Sequence, residues 1–530
     1  MASNAFALRS GACFAILFVP LALVSARDGH PVSALALALC ALLFAVPALG
    51  LALAMGRDRP LRRVLLFAAL IALFLDLEVE AFDGAIAALA TLGVVGVLWL
   101  LREHLSAILF AAFATMLVAS FLVPGSEAVM RTEARSAGEH AAGRPAAEGR
   151  VVHLLLDAFS SPDALPRGVE GGRALAAEVG AFFRQRGFSL HGDAISEYAS
   201  SRDSIATILD LDRGRSPASL RRGKRPYVLH ANAWFEWLRD EGFAVRVHQS
   251  AYMDFCSAAP IPIASCTTYR YDTARWVGDA ALGDVDQAAV LLGMLLNRPD
   301  FFEVAMKAWV RLRHAAARTV GLRPARIDWD GQSAPIVALE ALAHLQDEVL
   351  AAPPGTAHFA HLLLPHGPFV FDEDCALTGA PLEWPSARPL HRRSNDADGR
   401  RRRYVRYFAQ VRCTLARLGA FFDALEAKGL WRDATIVVHG DHGARIWRTP
   451  PRAGDGERWT ERDVRDGFGT LFAVKPAGGA AAAFDPGPTT VARLLAQTAG
   501  RVDPGPEKRP PVVRLEAEDG WLEVPWPGPR

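Results

Sequence analysis

A chain of 530 residues is too long for one ordinary domain, and 58 Lys and Arg against 57 Asp and Glu leave a formal charge of +1, too balanced for a dedicated nucleic-acid binder. Apolar residues make up 51% of the chain, and the excess is unevenly placed, almost all of it before Pro124.

Five apolar runs come first: Gly11 to Ala26, Pro31 to Met55, Val64 to Phe82, Gly84 to Leu101 and Leu105 to Val123. Each is close to the ~20 residues that a helix needs to cross a hydrocarbon core. One such run alone would serve as a buried helix, and the first as a signal peptide; five in succession predict a five-helix membrane domain over 1–124. The second connection, GRDRPLRR, carries Arg57, Arg59, Arg62 and Arg63, whereas the third follows Asp76, Glu78 and Glu80 and ends at Asp83. Arginine marks the cytoplasmic side, so the amino terminus is expected inside and everything after Pro124 outside.

From Gly125 to Arg150 the composition turns to Ala, Gly, Glu and Arg without apolar periodicity, which reads as a solvated linker over 125–150. The remainder, 151–530, is long enough for one large core or two unequal ones and shows no internal repeat. Cys13 and Cys40 fall in apolar runs. In an oxidising compartment Cys256 with Cys266 is the first candidate disulfide and Cys375 with Cys413 the second, though spacing alone does not fix the pairing.

Three near-continuous apolar segments, VVHLLLD, HFAHLLLPH and TIVVHGDH, read as strands buried on both faces. Helical patterns separate them, RALAAEVGAFFRQRG and VRYFAQVRCTLARLGAFFDALEAKG, the second closing on Gly429. This predicts an α/β domain with a largely parallel sheet, whose site forms beyond the carboxyl ends of the strands. Asp157, His366, Asp441 and His442 all fall at such ends. Singly, an Asp there is a cap and an Asp-His-Gly a turn. Together, carboxylates and imidazoles from distant strands are the donors zinc or manganese takes, and only an aligned sheet closes such a shell.

The segment EYASSRDSIATILDL turns helical after Ser201, placing that hydroxyl where unpaired N–H groups and the dipole favour an anion. A serine needs a metal or a base to become a nucleophile, so a catalytic Ser201 depends on the ligands above; as a plain helix cap it needs none. Its neighbour Ser200 leaves the choice of nucleophile open.

These residues resemble the alkaline phosphatase superfamily in its sulfatase-like branch, and more narrowly the membrane-bound phosphoethanolamine and phosphoglycerol transferases and lipoteichoic acid synthases. The resemblance covers roughly Val151 to Gly500, and those transferases also typically begin with five membrane helices. It implies Asp157 as the first-strand metal ligand, Ser201 as nucleophile and metal contact, and Asp441 with His442 as the late ligand pair. His361 and His366, in HLLLPHGP, match the two histidines of an LHxxGSHGP pattern, with His366 catalytic and His361 substrate-binding. Ser204 matches the serine three residues past the nucleophile. Related transferases usually carry threonine at the nucleophile. The Cys-x-Pro-x-Arg needed for formylglycine is missing from SRDSI, and Ala158 stands where sulfatases pair a second aspartate, so sulfate ester hydrolysis by the usual route is disfavoured. Arg202 and Arg445 are candidate phosphate-binding residues, or solvated surface arginines.

The implied protein is a multi-pass protein of the bacterial cytoplasmic membrane with its catalytic domain extracytoplasmic. It would use a divalent ion to move a phosphoryl-linked headgroup from a membrane phospholipid donor to an envelope glycan or glycolipid acceptor. No nucleic acid and no obligate protein partner are expected. A tethered phosphodiesterase or sulfatase-like hydrolase would use the same site, and a non-catalytic lipid sensor would need none of it. Two further stretches are ambiguous: GRRRRYVRYF is a solvated face or a lipid-headgroup contact, and FFEVAMKAWVRLRHAAARTVG packs on its domain or lies on a membrane.

Overall fold

The computed structural model describes residues 2–27, 33–56, 59–78, 93–122, 130–134, 147–211, 226–270, 283–296, 334–379, 384–387, 395–453, 459–479, 483–502, 510–517 and 520–527. The chain divides into two compact units. One is Met1–Ala128 with Asp272–Asp330 and Ala380–Leu382, the other Val129–Tyr271 with Gly331–Gly379 and Glu383–Arg530.

In the first unit, helices Ala2–Arg27, Ala34–Met55, Pro60–Glu78 and Leu105–Leu122 bury Ile16, Val19, Phe67 and Leu109. The helix Ala34–Met55 turns Leu42, Val46 and Leu53 outward, an apolar exterior that suits lipid rather than water. Five membrane spans are not found among the described residues. Among the described residues two helices are long and apolar enough to cross a membrane, Asn4–Leu23 and Ala34–Met55. A third is reached only if Gly93–Leu100 and Leu105–Ser120, bent by 116° at their break, count as one span. The helix Pro60–Glu78 falls short because Arg62, Arg63, Asp76 and Glu78 crowd its ends. The uncharged stretch from Val64 to Leu75 rises only ~18 Å, against ~30 Å of hydrocarbon. Residues 79–92, which hold parts of the third and fourth runs, lie outside the described residues, as does 301–321. The helix Asp284–Leu296 belongs to this unit too, and the backbone of Ser33 donates to Gln287 at 3.0 Å.

The second unit is built on a nine-stranded sheet. Its centre is five parallel strands in spatial order Ser265–Tyr269, Ala244–Ser250, Thr356–Leu362, Arg150–Leu156 and Ala434–Gly440. The three strands expected from sequence are thus adjacent and parallel. The flanks are not: Phe472–Lys475 joins Ala434–Gly440 antiparallel, Ser189–His191 joins that strand antiparallel, and Phe484–Asp485 closes the edge. The opposite edge is Met130–Ala134, antiparallel to Ser265–Tyr269, so part of the expected linker is a strand. Its sequence has no apolar period because it sits half-solvated at an edge, tied by backbone pairing and the 3.0 Å contact between Thr132 and Thr267.

The long helix Ala397–Ala427 ends before Gly429, whose φ of 70° is the left-handed stop the sequence called for. It begins earlier than expected, capped by Asp396, so the arginine run lies within it rather than ahead of it. Both cysteine pairs are joined, Cys256 to Cys266 and Cys375 to Cys413.

Candidate active site

The register of the central strands decides where the carboxylates go. Leu156 pairs with Gly440 and Leu362 as the last row of three parallel strands, so Asp157 and Asp441 emerge side by side from neighbours ~4.8 Å apart. Both are buried, as is His442. The glycines that bracket Asp441 and His442 are there for close approach. A Cβ on Gly440 would stand 2.3 Å from Thr470 Oγ1 and 2.7 Å from the carbonyl of Phe159, and one on Gly443 would stand 2.2 Å from the carbonyl of Asp466. The run Gly-Asp-His-Gly is therefore a strand end threaded under packed backbone, with its two polar residues turned to one spot.

Each polar atom there is oriented by the backbone. Asp441 Oδ1 accepts from the amides of Ala158, at 2.9 Å, and His442, at 2.8 Å. His442 Nδ1 lies 2.8 Å from the carbonyl of Gly443 and must donate to it, which leaves Nε2 as the ring's acceptor. Ser201 Oγ stands 3.0 Å from that Nε2 and 3.3 Å from Asp157 Oδ2. Ser201 opens the helix Ser201–Leu209, where Ser200 is the cap: its side chain accepts from the Asp203 amide and donates to the Asp203 carboxylate. The two adjacent serines are thus divided by geometry, one turned to the cluster and one to its own helix. Ser204 donates to the carbonyl of Asp441 and contacts Ser196 at 2.7 Å, clamping the helix to the late strand end.

Asp157, Asp441 and His442 each offer one ligand atom within 4.8 Å of the other two. Asp157 Oδ1 and Asp441 Oδ2 are buried without a hydrogen-bond partner, a cost that a divalent ion would remove. Two oxygens and an imidazole nitrogen suit zinc or manganese. Without an ion the carboxylates divide one proton. Burial and then the charge of Asp157 push Asp441 up to about 8. Burial pulls Asp157 the same way, but His366, His361, His442 and Arg445 outweigh it and hold it below the usual carboxylate range. Burial first, then Arg445, keeps His442 well below its ordinary value and neutral.

The remaining expected residues are placed unequally. His361 is fully buried in its strand, its Nε2 3.9 Å from Asp157 Oδ2 and its Nδ1 3.4 Å from Ser250. It lies against Asp157, its Nε2 buried without a hydrogen-bond partner. His366 lies on the loop after the strand, half-buried, with Arg445 donating to its Nε2 at 3.3 Å. The neutral ring consequently carries its proton on Nδ1; burial lowers its pKa. Arg445 also donates to the carbonyl of Ala199 and sits at a φ of 57°, turned back over the serine segment. Arg202 is not brought to the cluster. Its guanidinium is bonded to Asp203 at 3.0 and 3.1 Å and lies over the ring of Tyr227, because a residue at the second helical position points a quarter-turn or so away from the first.

Sequence reasoning missed the residue that shapes the His366 loop. Gln410, buried on the long helix, donates to the carbonyls of Pro365, His366 and Pro368 and accepts from the amides of Val370 and Phe371. Its only signal was a polar residue on an otherwise apolar helix face. Also missed was Tyr404, which donates to Asp466 at 2.5 Å; burial pushes that acid up to about 7.

No protein-family model matches the chain, and no curated protein does. Solved structures do. A phosphonate monoester hydrolase of Agrobacterium radiobacter is 16% identical, with 69% of this chain and 80% of that one covered, at a TM-score of 0.37. The C-terminal periplasmic domain of EcEptC from Escherichia coli is 10% identical over 74% of this chain and 94% of that one, at 0.38. BT1596, a 2-O GAG sulfatase, is 12% identical over 70% and 79%, at 0.39. Likeness at that level carries no weight on activity, which has to come from the residues.

Proposed function

We propose that the chain is a membrane-anchored, metal-dependent phosphotransferase of the sulfatase-like kind, which takes a phosphoryl-linked headgroup, phosphoethanolamine or phosphoglycerol, onto Ser201 and passes it to an envelope glycan or glycolipid. The observation that carries this is the meeting of Ser201 Oγ, at a helix N-terminus, with His442 at 3.0 Å and Asp157 at 3.3 Å. A buried serine with those neighbours has a means of activation that a capping serine lacks.

Asp157, Asp441 and His442 would hold a divalent ion, whose Lewis acidity would lower the pKa of Ser201 and polarise the phosphoryl oxygens. Ser201 Oγ bonds to phosphorus as the bond from phosphorus to the lipid's glycerol oxygen breaks, its own proton leaving along the hydrogen bond to Asp157. The first-turn amides of the helix and Arg445 bind the non-bridging oxygens. His366 donates a hydrogen bond from Nδ1 to the departing diacylglycerol oxygen, which takes up the proton that Ser201 released through Asp157, and the acceptor hydroxyl that later displaces Ser201 returns a proton to the serine by the same route. Ile446 and Trp447, directly after Arg445, line a cavity of about 380 Å³ in which Arg400, Arg401, Arg448 and Arg462 outnumber the carboxylates Asp463 and Asp466. Its guanidinium groups suit an acceptor that carries anionic groups. The two joined cysteine pairs and the apolar helices support an extracytoplasmic placement.

The test is full-length enzyme with zinc or manganese and labelled phosphatidylethanolamine or phosphatidylglycerol in liposomes. Diacylglycerol and labelled Ser201, identified by mass spectrometry, are expected, and Ser201→Ala should lose turnover by at least about 10³-fold while still binding metal. Diacylglycerol from neither lipid, with brisk hydrolysis of a soluble phosphodiester, would leave a tethered hydrolase instead.

A further inference from the structure

A second group of metal-type donors lies in the same unit and takes no part in the chemistry above. His248 belongs to the strand Ala244–Ser250, while His344 and Glu348 belong to the helix Ala334–Ala351. On that helix they are four residues apart and so share one face. His248 Nε2 is 2.9 Å from Glu348 Oε2, His344 Nδ1 is 3.8 Å from Glu348 Oε1, and one donor atom from each of the three lies within 4.8 Å of the others. Donors ~2.0–2.1 Å from a tetrahedral ion stand about 3.3 Å apart; the two measured separations, one to each oxygen of the Glu348 carboxylate, lie on either side of that value. A plain hydrogen bond between His248 and Glu348 accounts for the shorter contact. It does not account for His344, whose Nδ1 faces the same carboxylate and has no hydrogen bond of its own. Behind the group, His358 is buried with both ring nitrogens unpartnered, its ring 6.3 Å from that of His248. The group is not sealed: the side chains of His344 and Glu348 retain 35% and 19% exposure, so an ion and a water can enter from solvent.

We propose that His248, His344 and Glu348 form a second divalent-cation site, with zinc the ion it fits, pinning the helix Ala334–Ala351 to the sheet. Two imidazoles and one carboxylate with an open fourth position are zinc-type donors. Thr267, which contacts Glu348 Oε1 at 3.5 Å, orients the carboxylate. The tie lands beside the strand Thr356–Leu362, where His248 pairs with Ala360, the residue before His361. It would act by adding binding free energy to the folded state, and it stands whether or not the function proposed above is right.

The experiment is zinc stoichiometry on the full-length protein, stripped with chelator and reloaded with Zn²⁺ alone. The wild type should take up two equivalents. His344→Ala should take up one and keep its turnover, and Asp441→Asn with His442→Ala should also take up one. The remaining equivalent in that double variant should weaken by more than about 100-fold on adding His344→Ala or Glu348→Gln, beyond what an outer-shell partner costs. Alanine is tolerated on a helix surface, and circular dichroism checks that each variant is folded. One equivalent in the wild type that His344→Ala leaves unchanged would overturn the site, as would undiminished zinc in the triple variant.

Discussion

Two groups of histidine and carboxylate sit in one unit of this chain, and they are built in opposite ways. Asp157, Asp441 and His442 stand just past strand ends, on turns fixed by backbone hydrogen bonds. His248, His344 and Glu348 come from a strand interior and a helix face, and only side-chain packing brings them together. The first group adds what the second lacks, a hydroxyl at a helix N-terminus within hydrogen-bond reach of its histidine. The two groups thus share ligand types and differ in the hydroxyl set at a helix end beside the first.

The widest test of that contrast is a pair of substitutions. His442→Ala is expected to cost at least about 10³-fold in turnover and to release one metal equivalent, whereas His248→Ala should leave turnover within about threefold and lower the unfolding temperature. Equal losses of activity would erase the distinction. Next in size is Gln410→Ala, which leaves five backbone groups of the His366 loop without their partner. We expect ~2–4 kcal/mol of destabilisation in denaturant unfolding, since each buried group left unpaired costs ~1–3 kcal/mol and some regain water. Turnover should fall with the ion at Asp441 and His442 still bound.

The pH dependence of stability sharpens the comparison from the side of the cleft. Asp466, bonded to Tyr404, is raised by burial to about 7, whereas in the unfolded chain it titrates near ~4. Between those values the folded chain holds a proton that the unfolded chain has released, so stability falls as pH rises through that window and is flat for this group above about 7. The drop is at most about 4 kcal/mol, and Asp466→Asn should flatten it in thermal melts from pH 4 to 8. The smallest effect falls on the serine that the cluster does not use. Ser200→Ala should cost ~1 kcal/mol as a lost helix cap and leave turnover within a few-fold, measured beside Ser201→Ala. A dead Ser200→Ala with an active Ser201→Ala would shift the nucleophile by one residue.

Much of the site could be read from local pattern, for a physical reason. A strand buried on both faces is a continuous apolar run, so its polar terminus stands out, and Asp157, Asp441 and His442 were visible as such interruptions. The same logic hid His248, which interrupts a strand at a place where a lone histidine reads as ordinary filling, and it hid the helix pair His344 and Glu348, whose spacing is common on any solvated face. Arg202 was placed by nearness in sequence to Ser201, which a helix does not preserve in direction. The order of the five parallel strands follows the three recognised ones, but the antiparallel flanks Phe472–Lys475 and Ser189–His191 are short, and short strands carry little period to read. For the third run, the expected span came from counting apolar length without the charges that trim it at Arg63 and Asp76.

Gln410 also bears on how this architecture could be reworked. The segment from Pro365 to Phe371 makes no strand or helix of its own, and one amide on a helix some forty residues downstream serves as its hydrogen-bonding template. Its shape is thus stored outside itself. Transplanting the His366 loop into another scaffold would carry the letters and lose the conformation unless the recipient offered a glutamine at the same spot. A library that randomises the loop while keeping Gln410 should explore new clefts without collapsing the backbone that frames them.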